Sequence, residues 1–352
     1  MREYIIRRML LLPVIMIGVS VLTFSIFRII PGDAAVLTCG FACTDEVVDA
    51  LREERGLNDP LFPVSLDFTD PPIVSLQGDS QYGNWLWNLI KPQFRQIVGP
   101  IEIPLPNLDP GQSITESELP VEEELRHRLP VTVELMIVTM VFALLLGIPP
   151  GVISAIRPGT ILDWVSRMSS VVWLSVPNFF LGILVITFGS IWFDWTPPQF
   201  ASGSYVNFWE DPLTNIEEFL LPSLVLAVGL AAVIMRLTRS AMLEVMRNDY
   251  IRTAWSKGLR ERTVVWRHAL KNALIPVVTV IGLQIGGLLG GAVLIESVFN
   301  LNGIGKYVLE AIVRRDIFVV MSMVLGFAIV YVTANLLVDI AYAWLDPRIH
   351  YA

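Results

Sequence analysis

Charge is what this 352-residue sequence has least of: only 16% of it is Asp, Glu, Lys or Arg, where a soluble globular chain carries about a quarter. Six stretches hold none at all: 9–27, 135–156, 168–193, 219–235, 272–295 and 317–338, each 17 to 26 residues long. With 54% hydrophobic residues and a mean hydropathy of +0.60, that much apolar surface excludes a soluble chain. Cysteine is also scarce. The two present, Cys39 and Cys43, cannot build a disulfide-dense scaffold, although an oxidising compartment permits a bond between them; two free thiols is the equal alternative. The three histidines, His127, His268 and His350, each stand near the end of a different element, so no metal site is expected. No Gly-x-x-x-x-Gly-Lys-Ser/Thr phosphate loop occurs, and the chain is expected not to be an enzyme that hydrolyses nucleotide. There is no repeat of 20–50 residues and no low-complexity tail.

About 20 residues of helix cross a hydrocarbon core, and only a helix satisfies its own backbone there. The six charge-free runs therefore predict an all-α membrane protein of six transmembrane helices. Short loops rich in Lys and Arg stay in the cytoplasm. Arg2, Arg7 and Arg8 put the N-terminus inside, whereas residues 31–130 carry 17 acidic against six basic residues and are expected outside. Residues 194–218, with five acids and no base, are external again. Residues 236–271, with nine basic residues against Glu244, Asp249 and Glu261, are cytoplasmic. Six crossings then leave both termini in the cytoplasm. Arg7, Arg8 and the run after them also resemble a cleavable signal peptide, but the run is long, Pro13 interrupts it and no small-x-small site follows, which favours an uncleaved first helix.

The organisation that follows is an N-terminal transmembrane helix (1–30), a large external segment (31–130), a five-helix core (131–345) containing the loop 236–272, and a cytoplasmic tail (346–352). In the external segment, residues 44–57 read as a short amphipathic helix with Thr44 as N-cap. Repeated prolines from Pro60 to Pro120 exclude a long regular element after it. Tyr82, Trp85 and Trp87 suit anchoring at the membrane interface, with contact to a partner as the alternative. Residues 122–128 predict a short helix leading to Pro130, where the second crossing starts. Pro149, Pro150, Pro177 and Pro276 predict kinks or helix ends within spans. Gly282, Gly286, Gly287, Gly290 and Gly291 make the fifth span small-faced, which suits close helix packing or, alternatively, a dimer interface or pathway.

The most informative segment is 249–276, DYIRTAWSKGLRERTVVWRHALKNALIP. It is too polar to span and too regular for a loop. Ile251, Ala254 and Trp255 fall at helical spacing, Gly258 breaks the pattern, and Val264, Val265, Leu270 and Leu274 begin a second helix running into the fifth crossing. Such a helix–glycine–helix unit on the cytoplasmic face presents Tyr250, Arg252 and Lys257 outward and could dock a soluble partner. A basic amphipathic segment resting on anionic lipid has the same spacing.

That segment resembles the cytoplasmic coupling loop of binding-protein-dependent ABC transporter permeases, whose signature is Glu-Ala-Ala, three residues, then Gly. Here the positions read Arg252, Thr253, Ala254 and Gly258, a departure usual in the dipeptide, oligopeptide and nickel importer branch. The wider strings RLTRSAMLEVMRNDYIRTAWSKGL, RHALKNALIPVVTVIGLQ, GGAVLIESVF and LVDIAYAWLDPRIHY, with MREYIIRRMLLLP and FRIIPGD at the start, extend the resemblance over nearly the whole chain. It departs from the branch at Lys271, where proline would stand, and at Asn302 of Asn302-Gly303-Ile304-Gly305, where Pro-Gly-x-Gly is usual.

The resemblance implies a permease subunit of an ATP-driven importer for di- or oligopeptides in a prokaryotic cell membrane, of the type with a large first external loop and a coupling helix between transmembrane helices 4 and 5. It would pair with a second, non-identical permease and receive substrate from an external binding protein. Two cytoplasmic ATPase subunits, which would hold ATP and Mg, would grip Asp249, Tyr250, Arg252, Thr253, Ala254, Lys257 and Gly258. This chain would hold no cofactor and bind no nucleic acid. Glu296, Asp339, Glu134 and Arg28 are expected at span edges, where side chains reach water. Asn178, Gln284 and Glu296 are candidate pathway residues, with helix bridging as the other role for the amides, Asn335 included. The alternatives are an ion-gradient-driven transporter, whose mid-span carboxylates and internal repeat are missing here, a scaffold that only docks a partner, or the same machinery serving nickel, glutathione or oligosaccharide.

Overall fold

The structure, a computed structural model, describes residues 2–29, 36, 44–54, 58–62, 64–67, 73–76, 80–90, 92–98, 101–106, 121–202 and 205–345. Cys39, Cys43 and the tail 346–352 lie outside the described residues. In chain order the elements are α1 (Arg2–Ile29), α2 (Asp45–Glu54), β1 (Val64–Asp67), β2 (Ile73–Leu76), α3 (Gln81–Ile90), β3 (Pro92–Val98), β4 (Ile101–Pro106), α4 (Val121–Ile156), α5 (Ile161–Ser175), α6 (Asn178–Phe193), α7 (Gln199–Ser202), α8 (Pro212–Val245), α9 (Asp249–Ser256), α10 (Glu261–Phe299, with a π-helical turn at Val264–Ala269), α11 (Ile304–Arg314) and α12 (Ile317–Leu345).

Among the described residues, α4, α8, α10 and α12 are each long and apolar enough to cross a membrane, and α1 supplies a shorter apolar stretch, Leu10–Ile26. The run 168–193, expected as one span, is instead two helices, α5 and α6, bent by 96°. Pro177 has no backbone N–H to donate, and it drives Val176 out of the helical region to φ −101°, ψ 121°. Pro149, Pro150 and Pro276, by contrast, lie inside helices that continue through them. Helix α4 also runs through Pro130, merging the short helix expected at 122–128 with the second crossing. Its first turn carries Glu122, Glu123 and Glu124, favourable at the positive end of a helix dipole, and Glu122 and Glu124 pair one turn on with Arg126 and Arg128.

The all-α expectation needs one correction. Residues 64–106 contain four short strands, forming an antiparallel pair β1–β2 with Val64 opposite Leu76 and an antiparallel pair β3–β4 with Pro92 opposite Pro106. The prolines that exclude long elements are compatible with these. A two-stranded ribbon leaves one edge of every strand unpaired, where a missing N–H costs no ladder bond.

Two compact units divide the chain. One comprises Met1–Leu12, Pro130–Lys306 and Ile329–Ala352. Its core is built around α8, which buries Phe219, Leu226, Leu230 and Ile234 among others. Helix α4 approaches α8 closely because Gly147 and Gly151, one turn apart, have no side chains: a Cβ on Gly147 would lie 2.7 Å from Ile234 Cγ2, and one on Gly151 2.7 Å from the Met235 carbonyl oxygen. On α10, Gly291 and Gly282 similarly admit Leu226 and Val338, whereas Gly287 and Gly290 meet nothing within 4 Å.

The other unit comprises Pro13–Leu129 and Tyr307–Ala328. Its apolar cluster contains Phe24, Tyr82, Trp85, Ile317, Met321 and Leu325. Tyr82 and Trp85 are therefore core residues and not interfacial anchors; Trp87, on the opposite face of α3, is 63% exposed. The Tyr82 hydroxyl and Ser20 Oγ share a buried hydrogen bond of 2.8 Å, and the Phe24, Phe62 and Tyr82 rings lie 5.3–5.7 Å apart. Ser80 caps α3, its hydroxyl accepting from the Gly83 N–H at 3.1 Å.

Gly151→Val is expected to destabilise the detergent-solubilised chain by more than the roughly 1–3 kcal/mol typical of overpacking, because the atom in the way is backbone, while Gly18→Ala, with nothing within 4 Å, leaves the unfolding midpoint unchanged or raised. Trp85→Ala, at about 3–5 kcal/mol, is expected to speed protease cleavage between residues 44 and 106 far more than Tyr82→Phe, which loses one hydrogen bond worth about 0.5–1.5 kcal/mol.

Candidate functional site on the short helix 249–256

Helix α9 is eight residues, DYIRTAWS, too short to persist alone in water. What holds it is a stripe three residues apart: Ile251 is 0% and Ala254 7% exposed. Both enter a cluster with Val152 and Ala155 of α4, Ala241 and Met242 of α8, and Val264, Val265, Ala269, Leu270 and Ala273 of α10. The π-helical turn serves this cluster. A wider turn lets the adjacent pairs Val264–Val265 and Ala269–Leu270 all face inward.

The end of α9 is fixed by backbone geometry. The Gly258 N–H donates to the Trp255 carbonyl at 2.9 Å, and the Leu259 N–H to the Ala254 carbonyl at 3.4 Å. This pair of bonds is a Schellman cap, with Leu259 packed on the cluster as the motif requires. Gly258 has φ +75°, and a Cβ there would meet nothing within 4 Å. Glycine is needed for its backbone conformation alone.

The other predicted residues of this segment, Asp249, Tyr250, Arg252, Thr253 and Lys257, are exposed around α9. Tyr250 Oη accepts from Asn272 Nδ2 at 2.8 Å, tying α9 to α10. Arg252 and Asp249 form an exposed ion pair at 3.5 Å, which contributes little to stability. Trp255, which helical spacing groups with Ile251 and Ala254, is 42% exposed and joins the outward surface. One helical step past Ala254 is about 100° of rotation, enough to carry it off the narrow buried stripe.

Beside the cluster lies a buried polar group that spacing did not reveal. Asp163, at the start of α5, accepts from Ser154 Oγ of α4 at 2.5 Å, from the Gly159 N–H at 3.0 Å and from Arg239 of α8, Nε at 2.8 Å and Nη2 at 3.2 Å. The local signal was Thr160, whose hydroxyl caps α5 by accepting from the Asp163 N–H. Nothing local pointed to Arg239.

The candidate pathway residues fall in different settings. Asn178 Nδ2 donates to the Leu226 carbonyl at 3.5 Å, and its Oδ1 would lie 3.2 Å from a Cβ on Gly229, so it bridges α6 and α8. Gln284 is half-buried on α10. Asn335 donates to the Tyr331 carbonyl of its own helix. Glu296 does not reach water: it is 0% exposed. Its Oε1 accepts from Thr132 Oγ1 at 2.7 Å and its Oε2 from the Lys306 N–H at 3.0 Å, while Thr132 Oγ1 accepts from the Ile304 N–H at 2.9 Å. The carboxylate thus caps the N-terminus of α11, where the helix dipole favours it. Gly303 makes room, since a Cβ there would collide with that carboxylate. Asn302, in the place of the usual proline, accepts with Asn300 from Lys306 Nζ at 3.0 and 2.7 Å, giving the turn a polar brace. Glu134 accepts from the Tyr205 hydroxyl at 2.6 Å. The side chains of Arg28 and Asp339 lie outside the described residues.

Comparison with known proteins places this architecture. The family model described as "Binding-protein-dependent transport system inner membrane component" matches residues 147–351, and "Binding-prot-dependent transport system membrane comp, N-term" matches residues 1–136. The chain is 35% identical to "Dipeptide transport system permease protein DppB" of Alkalihalophilus pseudofirmus and 35% identical to "Oligopeptide transport system permease protein AppB" of Bacillus subtilis, covering 100% of both chains in each case. It is 35% identical to the DppB of Escherichia coli, covering 100% of this chain and 99% of that one. Among solved structures, an inward-facing form of the MetNI methionine ABC transporter matches with a TM-score of 0.51 at 19% identity, over 65% of this chain and 99% of that one, which shows a common fold. The chain is thus a multi-pass integral membrane protein of an ABC transporter, and it belongs to the family of inner membrane components of binding-protein-dependent transport systems.

Proposed function

We propose that this chain is a transmembrane permease subunit of an ATP-driven importer of di- or oligopeptides, and that α9 is the lever through which ATPase subunits drive it. The observation that carries the reading is the seating of α9. It is glycine-capped, held by Ile251 and Ala254 in a cluster shared by three long helices, and it turns Asp249, Tyr250, Arg252, Thr253, Trp255 and Lys257 outward. A rigid knob so anchored passes a displacement to α4, α8 and α10 together, because packed cores move as units and do not deform continuously. The names of the full-length relatives, dipeptide and oligopeptide permeases, support the substrate class.

In this reading the chain makes six crossings with both termini in the cytoplasm, counting the Leu10–Ile26 stretch and the bent pair α5–α6 as one crossing each. It forms the pathway with a second permease, and an external binding protein delivers peptide. ATP and Mg are held by two ATPase subunits, and this chain is not an enzyme. The excess of Lys and Arg in 236–271 supports placing α9 on the cytoplasmic side.

Gly258→Val forces a β-branched residue to a positive φ, at a local cost of about 1–3 kcal/mol, and Ala254→Asp puts a charge into the apolar seat. Both variants are expected to insert normally, to lose co-purifying ATPase subunits or the link between hydrolysis and uptake, and to lower peptide uptake by about tenfold or more. Uptake into proteoliposomes at the wild-type rate by both variants would overturn the lever. Uptake by the wild-type complex that persists without hydrolysable nucleotide and follows a proton gradient would overturn ATP drive.

A further inference from the structure

We propose that Asp163 and Arg239 are positioning residues that make α5 follow the lever, so that breaking their contact separates nucleotide hydrolysis from transport without detaching the ATPases. This rests on the reading of α9 given above.

The starting point is how little of α5 is buried. Its apolar side chains Ile161, Leu162, Trp164, Val165, Val171 and Val172 are all exposed, and the residues it buries are Asp163 and Ser170. Ser170 Oγ donates to the Arg167 carbonyl of its own helix. Asp163 is thus the side chain of α5 that reaches across to other helices by hydrogen bonds among the described residues. It takes four: one from Ser154 of α4, one from the Gly159 backbone in the connecting turn, and two from Arg239 of α8. Arg239 Nε is itself 2.9 Å from Ser154 Oγ, which closes a three-cornered network.

The position of this network gives it a role. Ser154 stands between Val152 and Ala155, and Arg239 lies two residues before Ala241; all three neighbours belong to the cluster that seats Ile251 and Ala254. Immediately along the same helices, Gly151 lets α4 touch the backbone of Met235. The ends of α4 and α8 therefore form one body carrying the lever. Helix α5, which runs closely along α8 and leads through the 96° bend into α6, is tied to that body by a fork of two parallel N–H···O bonds. A buried ion pair is a poor means of adding stability, since desolvation consumes most of its attraction. Its geometry is directional, however, and a bidentate arginine fork holds orientation as well as distance. A fastening of this kind fixes how α5 is oriented on that body as well as how close it lies.

The test uses the assembled transporter, with both permeases, both ATPases and the binding protein, in proteoliposomes. Asp163→Asn keeps the shape and removes the charge, and Arg239→Lys keeps the charge and removes the fork. Both are expected to retain the ATPase subunits and to hydrolyse ATP with an unchanged KM, while peptide taken up per ATP hydrolysed falls about two- to thirtyfold, the range over which residues on a coupling route act. Unchanged uptake per ATP in both variants would overturn the proposal. So would a loss of uptake that only tracks loss of the ATPases, since that is the signature of a damaged lever seat. Should Asp163→Asn fail to insert, Arg239→Lys decides by the same ratio. Ala254→Asp run alongside separates the two claims: ATPases that stay bound and fully coupled in that variant contradict the lever reading itself, whatever the Asp163 and Arg239 variants do.

Discussion

The burial of two apolar side chains, Ile251 and Ala254, is the contact on which the position of α9, and with it the proposed function, depends. An eight-residue helix has too few internal hydrogen bonds to survive alone, so α9 exists as a rigid body only because α4, α8 and α10 together offer it a dry seat. The same seat makes its position informative. A displacement of α9 cannot be absorbed by loose packing, and the Schellman cap at Gly258 prevents its end from unwinding into the chain that follows.

Within apolar surroundings every charge must be answered, and this chain answers two of its buried carboxylates by different means. Glu296 accepts hydrogen bonds from the N-terminus of α11 and from Thr132, with glycine at 303 leaving space for it. Asp163 is neutralised by a guanidinium from another long helix. The first arrangement caps the start of a helix and shapes a turn, whereas the second ties three segments together beside α9. Close approach of α4 to α8 needs no charge at all. It follows from glycines one turn apart, as in membrane helices generally, where small residues substitute packing for the hydrophobic drive that lipid cannot supply.

How much of this was legible in the sequence depended on the range of the interaction. Charge-free runs and the helix–glycine–helix of 249–276 are local patterns, and the helices α4, α8, α10, α12 and α9 lie along the chain where those patterns put them. The positive φ at Gly258 was readable because the glycine stands between two helical periods. Trp255 was misplaced because a helix of two turns buries a stripe narrower than periodicity suggests. The bend at Val176–Pro177 was signalled by the proline, but so were bends at Pro149, Pro150 and Pro276, where the helices continue; composition cannot say which proline has neighbours that hold the helix together. The short strands of 64–106 were hidden by prolines that exclude only long elements. The two carboxylate networks were out of reach, since Asp163 meets a residue 76 positions away and Glu296 one 164 positions away. For the same reason Glu296 looked like a span-edge charge available to a pathway when it is a sealed helix cap.

The central claim, that α9 is gripped by a soluble neighbour, is tested most directly by proximity. With Cys39 and Cys43 replaced by serine and a single Lys257→Cys introduced, a short thiol-reactive photo-crosslinker at position 257 of the assembled complex is predicted to capture an ATPase subunit, in a yield that changes between nucleotide-free and ATP-bound states. Capture of lipid alone, or modification of that cysteine by an impermeant reagent added outside intact cells, would contradict the account.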